Sequence, residues 1–359
     1  MLGSRLWPGR RIWTLPHRTF LDQLLAHSDR QEADRVLMKN TLDHLQEDLD
    51  DISDRIERQV SNDLTNLNET AQYYFTRRGK RFRPALILLM HHALRSHLNS
   101  THDGIENAKL LAQAAEMIHT ASLVHDDILD EASERRGQTA LPVAHGNQAA
   151  VLCGDYLLAK ANLTLSEIGN PEVHVQMSQV LVELVQGEFM QLNHFSSFQD
   201  YVKKSYYKSA SMMARSCASV ALLSNASEEV VQSVQEYEGH VGMSFQLKDD
   251  LLDMTGKGAT MGKAPLNDLK MGLITAPTYY AMEEDPEIAT LLTQSHAPHS
   301  ETLVQEVVQR IEKTSAIEKT EELISEYTEK AIQSLSCLSP SPAFWILQDI
   351  AAVVGIRSL

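Results

Sequence analysis

Apolar residues recur along this chain at intervals of three and four rather than two. Leu42, Leu45, Leu49, Ile52 and Ile56 make one such series, the stripe a helix buries. Residues 33–70 are therefore predicted as a helix or helix pair. Residues 110–129 form a strongly apolar helix, and residues 137–158 a turn followed by another. Gly146 and Gly154 there are expected to allow close helix contact. In QGEFMQL, Glu188 and Gln191 interrupt an apolar helix, which fits inward hydrogen-bonding groups and an exposed face equally well. Residues 195–200 read as a loop. So do residues 255–269, where Gly256, Gly258 and Gly262 alternate with Lys257 and Lys263, the make-up of a lid that closes over a charged substrate. From Ala343 onward an amphipathic helix is predicted. The fold class that follows is all-α.

Composition narrows this further. A hydrophobic fraction of 43% over 359 residues supplies a sizeable core, and 16 Gly with 11 Pro are few enough to leave long helices intact. The net charge of −16 argues against nucleic acid as a partner. Cys153, Cys217 and Cys337 are scattered and form no CxxC, so neither a disulfide framework nor a zinc site is expected. No run of about 18 apolar residues is present, so no spanning helix is predicted, although peripheral membrane contact is compatible with the sequence. The first twenty residues carry Arg5, Arg10, Arg11 and Arg18 and no acid, with Trp7 and Trp13 among them. This is the pattern of a mitochondrial transit peptide, placing residues 1–25 as a leader and 26–359 as one helical domain in the matrix or at the inner membrane.

Two acidic clusters share one spacing. Asp126, Asp127 and Asp130 stand in SLVHDDILD, and Asp249, Asp250 and Asp253 in FQLKDDLLD. On a helix the first and last aspartate of each cluster share a face. Crowded carboxylates raise one another's pKa unless a cation joins them, and all-oxygen donors suit Mg²⁺ with substrate phosphates completing its shell. Arg135 and Arg136 follow the first cluster and are placed to take phosphate oxygens. A third copy, Asp50, Asp51 and Asp54, falls away from its apolar stripe beside Arg55 and Glu57 and reads as a solvated face. Asp51→Ala is accordingly expected to be nearly silent. RRGKRFRP at residues 77–84 puts five basic residues around a glycine ahead of a helix start, which suits either a phosphate site or a basic surface turn. Lys203, Lys204 and Lys208 offer further cations. His125, beside the aspartates, is read as structural, and Asp155 either as a supporting group or an ordinary helix aspartate.

The paired DDxxD motifs, GKRFRP, the arginine pair and GKAPLNDLKMGLITAP together resemble the trans-prenyl diphosphate synthases over residues 77–278. IHTASLVHDDILDEASERRG is most similar to the long-chain polyprenyl synthases that make ubiquinone side chains. The resemblance implies a helical bundle around a central cavity, of the isoprenoid-synthase type. It implies isopentenyl diphosphate ligands at Lys80, Arg83, His119 and Arg136. Metal ligands are implied at Asp126, Asp130 and Asp249, with Asp127, Asp250 and Asp253 completing the catalytic motifs. Contacts to the allylic diphosphate are implied at Arg135, Lys208, Ser209 and Gln246, and lysines near the leaving group at Lys263 and Lys270. Ser209 stands where the family usually has Thr.

The implied reaction is a Mg²⁺-dependent condensation of isopentenyl diphosphate onto an allylic diphosphate, with no nucleophilic side chain. Ala121 and Ser122 lie about one turn before Asp126, and a turn rises about 5.4 Å. Their small size leaves the route of a growing tail open, so a long product is expected. The alternatives are a partner-dependent or non-catalytic subunit of a heteromeric synthase, a geranylgeranyl synthase, or a terpene cyclase. Whole aspartate motifs argue against the non-catalytic subunit, and all-Asp ligand positions in the second motif against the cyclase. The chain is expected to work as a homo-oligomer or with a related subunit.

Overall fold

The computed structural model describes residues 32–75, 81–101, 103–135, 137–192, 197–255, 266–294 and 298–356. The chain opens with α1 (Glu32–Val60) and α2 (Thr65–Gln72), then α3 (Phe82–His97) and α4 (Ile105–Leu129). A two-residue hairpin, β1 (Glu134–Arg135) and β2 (Gln138–Thr139), leads to α5 (Leu141–His145), α6 (Asn147–Ile168) and α7 (Pro171–Leu192). Then come α8 (Phe198–Ser205), a π-helical turn (Tyr206–Ala210), α9 (Ser211–Leu223) and α10 (Glu228–Met254). The rest is α11 (Asn267–Lys270), α12 (Ala276–Glu284), α13 (Pro286–Gln294), α14 (Glu301–Ile311), α15 (Ala316–Ser334) and α16 (Pro342–Ile356). The fold is all-α, as the three-four spacing predicts.

The long helices pack as a bundle. α4 lies along α3 and α6, and α9 packs against α7, α4 and α10, with α15 closing the outer side of α10. Local chemistry fixes several starts. The Ser227 hydroxyl accepts the Val230 N–H at the head of α10, and the Ser197 hydroxyl accepts the Asp200 N–H at the head of α8. Residues 198–200 are thus the first turn of a helix, not a loop, because Ser197 is a cap. Likewise residues 267–269 belong to α11 rather than to a glycine-rich loop. Residues 256–265 lie outside the described residues. α16 is buried on most of its circumference, since Ile346, Leu347, Ile350, Ala351, Val353 and Val354 all lie in the core. An amphipathic reading of that segment underestimates its burial.

Glycines serve two different ends. Gly154 makes room for a side chain: a Cβ there would sit 2.1 Å from the His125 ring, so the imidazole fills the space between α4 and α6. Gly146 has open space around it and φ +86, so it turns the chain between α5 and α6 rather than bringing helices together.

The third acidic copy differs from its predicted solvated role. Lys109 on α4 is nearly buried, and its ammonium lies 2.8 Å from Asp48 and 3.0 Å from Asp51 on α1. Asp51 also pairs with Arg55, and Asp50 accepts from Arg81 at 2.6 Å. These aspartates tie α1 to α4 and to the segment leading into α3. A buried ammonium needs such counter-charges, so Asp51 carries a packing role that wheel geometry alone does not reveal.

Candidate active site

The first motif closes α4. Asp126 and Asp127 lie in its last turn and Asp130 is the residue that caps it, its N–H donating to the Asp126 carbonyl at 2.8 Å. The three carboxylates have different surroundings. Asp130 is exposed and Asp126 half-buried, whereas Asp127 is wholly buried. Asp127 accepts the Tyr74 hydroxyl at 2.5 Å on one oxygen, and Nε and Nη2 of Arg135 at 2.7 and 2.5 Å on the other. The Tyr74 oxygen in turn accepts the Leu141 N–H at 2.9 Å. Asp127 therefore orients the Arg135 guanidinium and joins three chain segments. Among the described residues Asp126 meets no such donor set. Burial, then the nearby Glu188, pushes its carboxyl up to about 7, with Asp130 adding and Lys208 and Arg135 opposing.

The second motif repeats this division on the last turns of α10. Asp249 is half-buried, while Asp250 is buried and accepts the Tyr201 hydroxyl at 2.5 Å and the Gln246 amide at 2.8 Å. Ser209 donates to the other end of the same Gln246 at 2.5 Å. Burial lifts Asp250 to about 6, and Lys204 works against it. Asp253 accepts the N–H groups of Asn267 and Asp268 at 3.2 and 3.1 Å, capping α11 and fixing the chain that leaves the motif. Lys270, exposed at the far end of α11, is one turn from that cap.

Lysines of the middle segment join the two motifs. Lys208, on the π-helical turn, reaches Glu188 at 2.6 Å and Gln191 at 3.0 Å on α7. Glu188 and Gln191 of QGEFMQL thus both point to a cation, while Gln186 is exposed. Lys204 is nearly buried, which lowers its pKa, and it feels Asp250, Asp268 and Glu188 in return. Glu188 acts on Asp126, Lys204 on Asp250, and Glu188 and Lys204 on each other, so one set of charges spans both acidic helices. A π-helical turn at this place is itself informative, because such widened turns are frequent at functional sites. Gly242 on α10 lets it in: a Cβ there would come within 2.6 Å of Ala210.

The remaining candidates divide. Arg83 Nη1 lies 2.9 Å from His119 Nε2, which brings two residues of the implied isopentenyl set together. Since a guanidinium only donates, this His119 nitrogen is the acceptor and carries no proton. Lys80, Arg136 and Lys263 lie outside the described residues. Ala121 is fully buried, and half-buried Ser122 donates to the His119 carbonyl at 2.9 Å. His125 packs against α6, 3.3 Å from the Val151 carbonyl and 3.8 Å from Asp155. Sequence reasoning missed Tyr74 and Tyr201.

Among the described residues no three His, Cys, Asp or Glu side chains stand close enough to cage a metal alone. The donor chemistry nonetheless fits a hard cation whose shell is completed by ligand oxygens. The fit rests on Asp126 and Asp130, half-buried and exposed at the end of one helix, and on the burial and neighbouring carboxylates that raise the Asp126 pKa, an effect a bound cation would oppose.

A family model described as polyprenyl synthetase matches residues 64–312. The chain is 42% identical to a decaprenyl-diphosphate synthase of Dictyostelium discoideum over 81% of its own length and 63% of that protein's. It is 36% identical to the mitochondrial solanesyl-diphosphate synthase 1 of Oryza sativa subsp. japonica, over 92% of this chain and 79% of the rice protein. Among solved structures, a decaprenyl diphosphate synthase from Rhodobacter capsulatus superposes with a TM-score of 0.81 at 25% identity, covering 89% of this chain and 99% of that one. With both acidic helices, the lysine-bearing turn between them and this breadth of similarity, the chain belongs to the polyprenyl synthetase family.

Proposed function

We propose that this chain is a long-chain trans-polyprenyl diphosphate synthase, a prenyltransferase that adds isopentenyl diphosphate units to an allylic diphosphate and supplies the side chain of ubiquinone. One observation carries the reading: the segment between the motifs bonds to both sides, Tyr201 and Ser209 to Asp250 and Gln246 on α10, and Lys208 to Glu188 on α7, the residue whose charge acts on Asp126. The decaprenyl and solanesyl names of the relatives favour a long product.

Arg83 and His119, which lie side by side, would hold the isopentenyl diphosphate, and Arg135, held by Asp127, the allylic one. Mg²⁺ at Asp126, Asp130 and Asp249 would offset the negative charge that builds on the departing diphosphate. Lys208 and Ser209 add donors at the same end. The allylic carbon–oxygen bond breaks and releases diphosphate, the isopentenyl double bond attacks the resulting carbocation, and the new cation so formed gives a proton to the released diphosphate to restore a double bond.

Ala121 is a side chain of minimal volume facing the core one turn before Asp126. Incubation with labelled isopentenyl diphosphate, farnesyl diphosphate and Mg²⁺, followed by sizing of the lipid, tests the reaction and the length together. Ala121→Phe should shorten the product. An unchanged chain length in that variant places the tail along another path, and no lipid at all from the wild type defeats the reading.

Leu152 and Leu163 on α6 and Val175, Val182, Val185 and Phe189 on α7 are exposed large apolar residues on adjoining helices. So much apolar surface on neighbouring helices is the mark of a subunit contact, and the occupant we propose is a second copy or a related chain. A monomer mass by light scattering would exclude self-association. No helix among the described residues is long and apolar enough to cross a membrane. The basic, acid-free first twenty residues support import into mitochondria, and the rice relative's own location agrees with that.

A further inference from the structure

We infer that Tyr74 and Tyr201 are paired positioning residues, each locking the rotation of one acidic helix by holding the second aspartate of its motif. This rests on the reading that Asp126, Asp130 and Asp249 face a shared metal–diphosphate site. The two anchors come from unrelated parts of the chain. Tyr74 follows α2, 52 residues before the first motif, and Tyr201 lies in α8, 48 residues before the second. Yet each donates its hydroxyl at 2.5 Å to the same member of a DDxxD, Asp127 or Asp250. Both carboxylates are buried, and each has a cation nearby, Arg135 for Asp127 and Lys204 for Asp250.

The helix explains why the second position is the one held. Successive residues point about 100° apart, so a face that presents positions one and five turns position two aside into the bundle. A carboxylate there must be hydrogen-bonded or it destabilises the fold. Once bonded, it resists rotation of the helix, and with it any drift of the outward carboxylates. The Tyr74 oxygen is itself fixed, because it accepts the Leu141 N–H. Groups behind metal ligands commonly change metal affinity when removed, by about tenfold or more.

Tyr74→Phe and Tyr201→Phe remove one oxygen each and keep the ring. The controls are Tyr73→Phe and Tyr237→Phe, whose hydroxyls donate to the carbonyls of Thr139 and Leu347, away from the aspartates. The melting temperature of the full chain is followed as Mg²⁺ is added with inorganic diphosphate, and kcat is measured separately. The two anchor variants should need about tenfold more Mg²⁺ for half of the thermal shift, with a smaller change in kcat at saturating Mg²⁺. The controls should lose some stability and keep the wild-type Mg²⁺ demand. If the anchor variants lose stability without a change in Mg²⁺ demand, or match the controls, the inference is wrong. A wild type that shows no Mg²⁺-dependent shift overturns it too. A wild type that binds Mg²⁺ and diphosphate but condenses nothing defeats the proposed function while leaving the anchors open to the same comparison.

Discussion

Asp126→Ala and Asp249→Ala should each lower kcat by about a hundredfold to a thousandfold, the loss typical of removing one group that stabilises developing charge. The circular dichroism spectrum and melting temperature should stay close to wild type, because neither carboxylate is buried within the core. Removing Asp126 also relieves a crowded set, since burial, Glu188 and Asp130 all oppose its ionisation. The fold therefore loses little when the side chain goes. Asp127→Ala makes the contrast, as it strands Tyr74 and Arg135 and mixes a folding defect with a catalytic one. The comparison is made by steady-state assay with labelled isopentenyl diphosphate across a Mg²⁺ series. Near-normal turnover in either outward variant would end the case for a metal-bridged diphosphate.

Glu238→Gln should stabilise the protein, and by more as pH rises. Glu238 is fully buried on α10, among the described residues no oxygen or nitrogen donor reaches its carboxyl, and the polar neighbour acting on it is the weakly donating thiol of Cys217. Burial pushes it up to about 8, against an ordinary value of 4.5. The folded state then holds a proton that the unfolded chain gives up above 4.5. Stability contributed by the wild-type residue is full below that pH, declines through the interval up to about 8, and levels off beyond it. At pH 7 the accumulated cost is on the order of 3 kcal/mol. Glutamine cannot ionise, so its own burial cost does not vary with pH. Buried His91, lowered to about 4, has the opposite slope, losing stability as pH falls below its ordinary 6.5. The useful quantity is consequently the difference between Glu238→Gln and wild type in urea melts from pH 5.5 to 8.5. A difference that stays flat over that range would show that Glu238 is not protonated in the fold.

The acidic helices were legible because their signal is periodic and local. Asp126 with Asp130, and Asp249 with Asp253, sit at helical spacing in apolar runs, and cations follow at short range. Lys208 and Gln246 were legible only through family resemblance, since a lysine in YVKKSYYKSA has no local mark that separates it from Lys203. The structure separates them: Lys208 reaches Glu188, whereas Lys203 lies over the Tyr207 ring. Tyr74 and Tyr201 were invisible because their partners are about fifty residues away and a single tyrosine has no period. Glu238 in QEYEGH looks like an ordinary polar position, and only its three-dimensional neighbours make it a buried acid. The Asp50–Asp54 copy misled in the other direction. A helix wheel shows where a side chain points, not whether another helix brings a lysine to it.

The widened turn at Tyr206–Ala210 lets one continuous rod, from Phe198 to Leu223, address partners that a regular helix would not align. Tyr201 before it serves Asp250, Lys208 within it serves Glu188, and Arg215 beyond it pairs with Glu183. An extra residue in one turn advances everything downstream by about 100° relative to everything upstream. The phase of these three contacts is thus set by a single inserted position. Excising one residue from this turn would put the two halves of the rod out of step, although no contacting side chain had been altered.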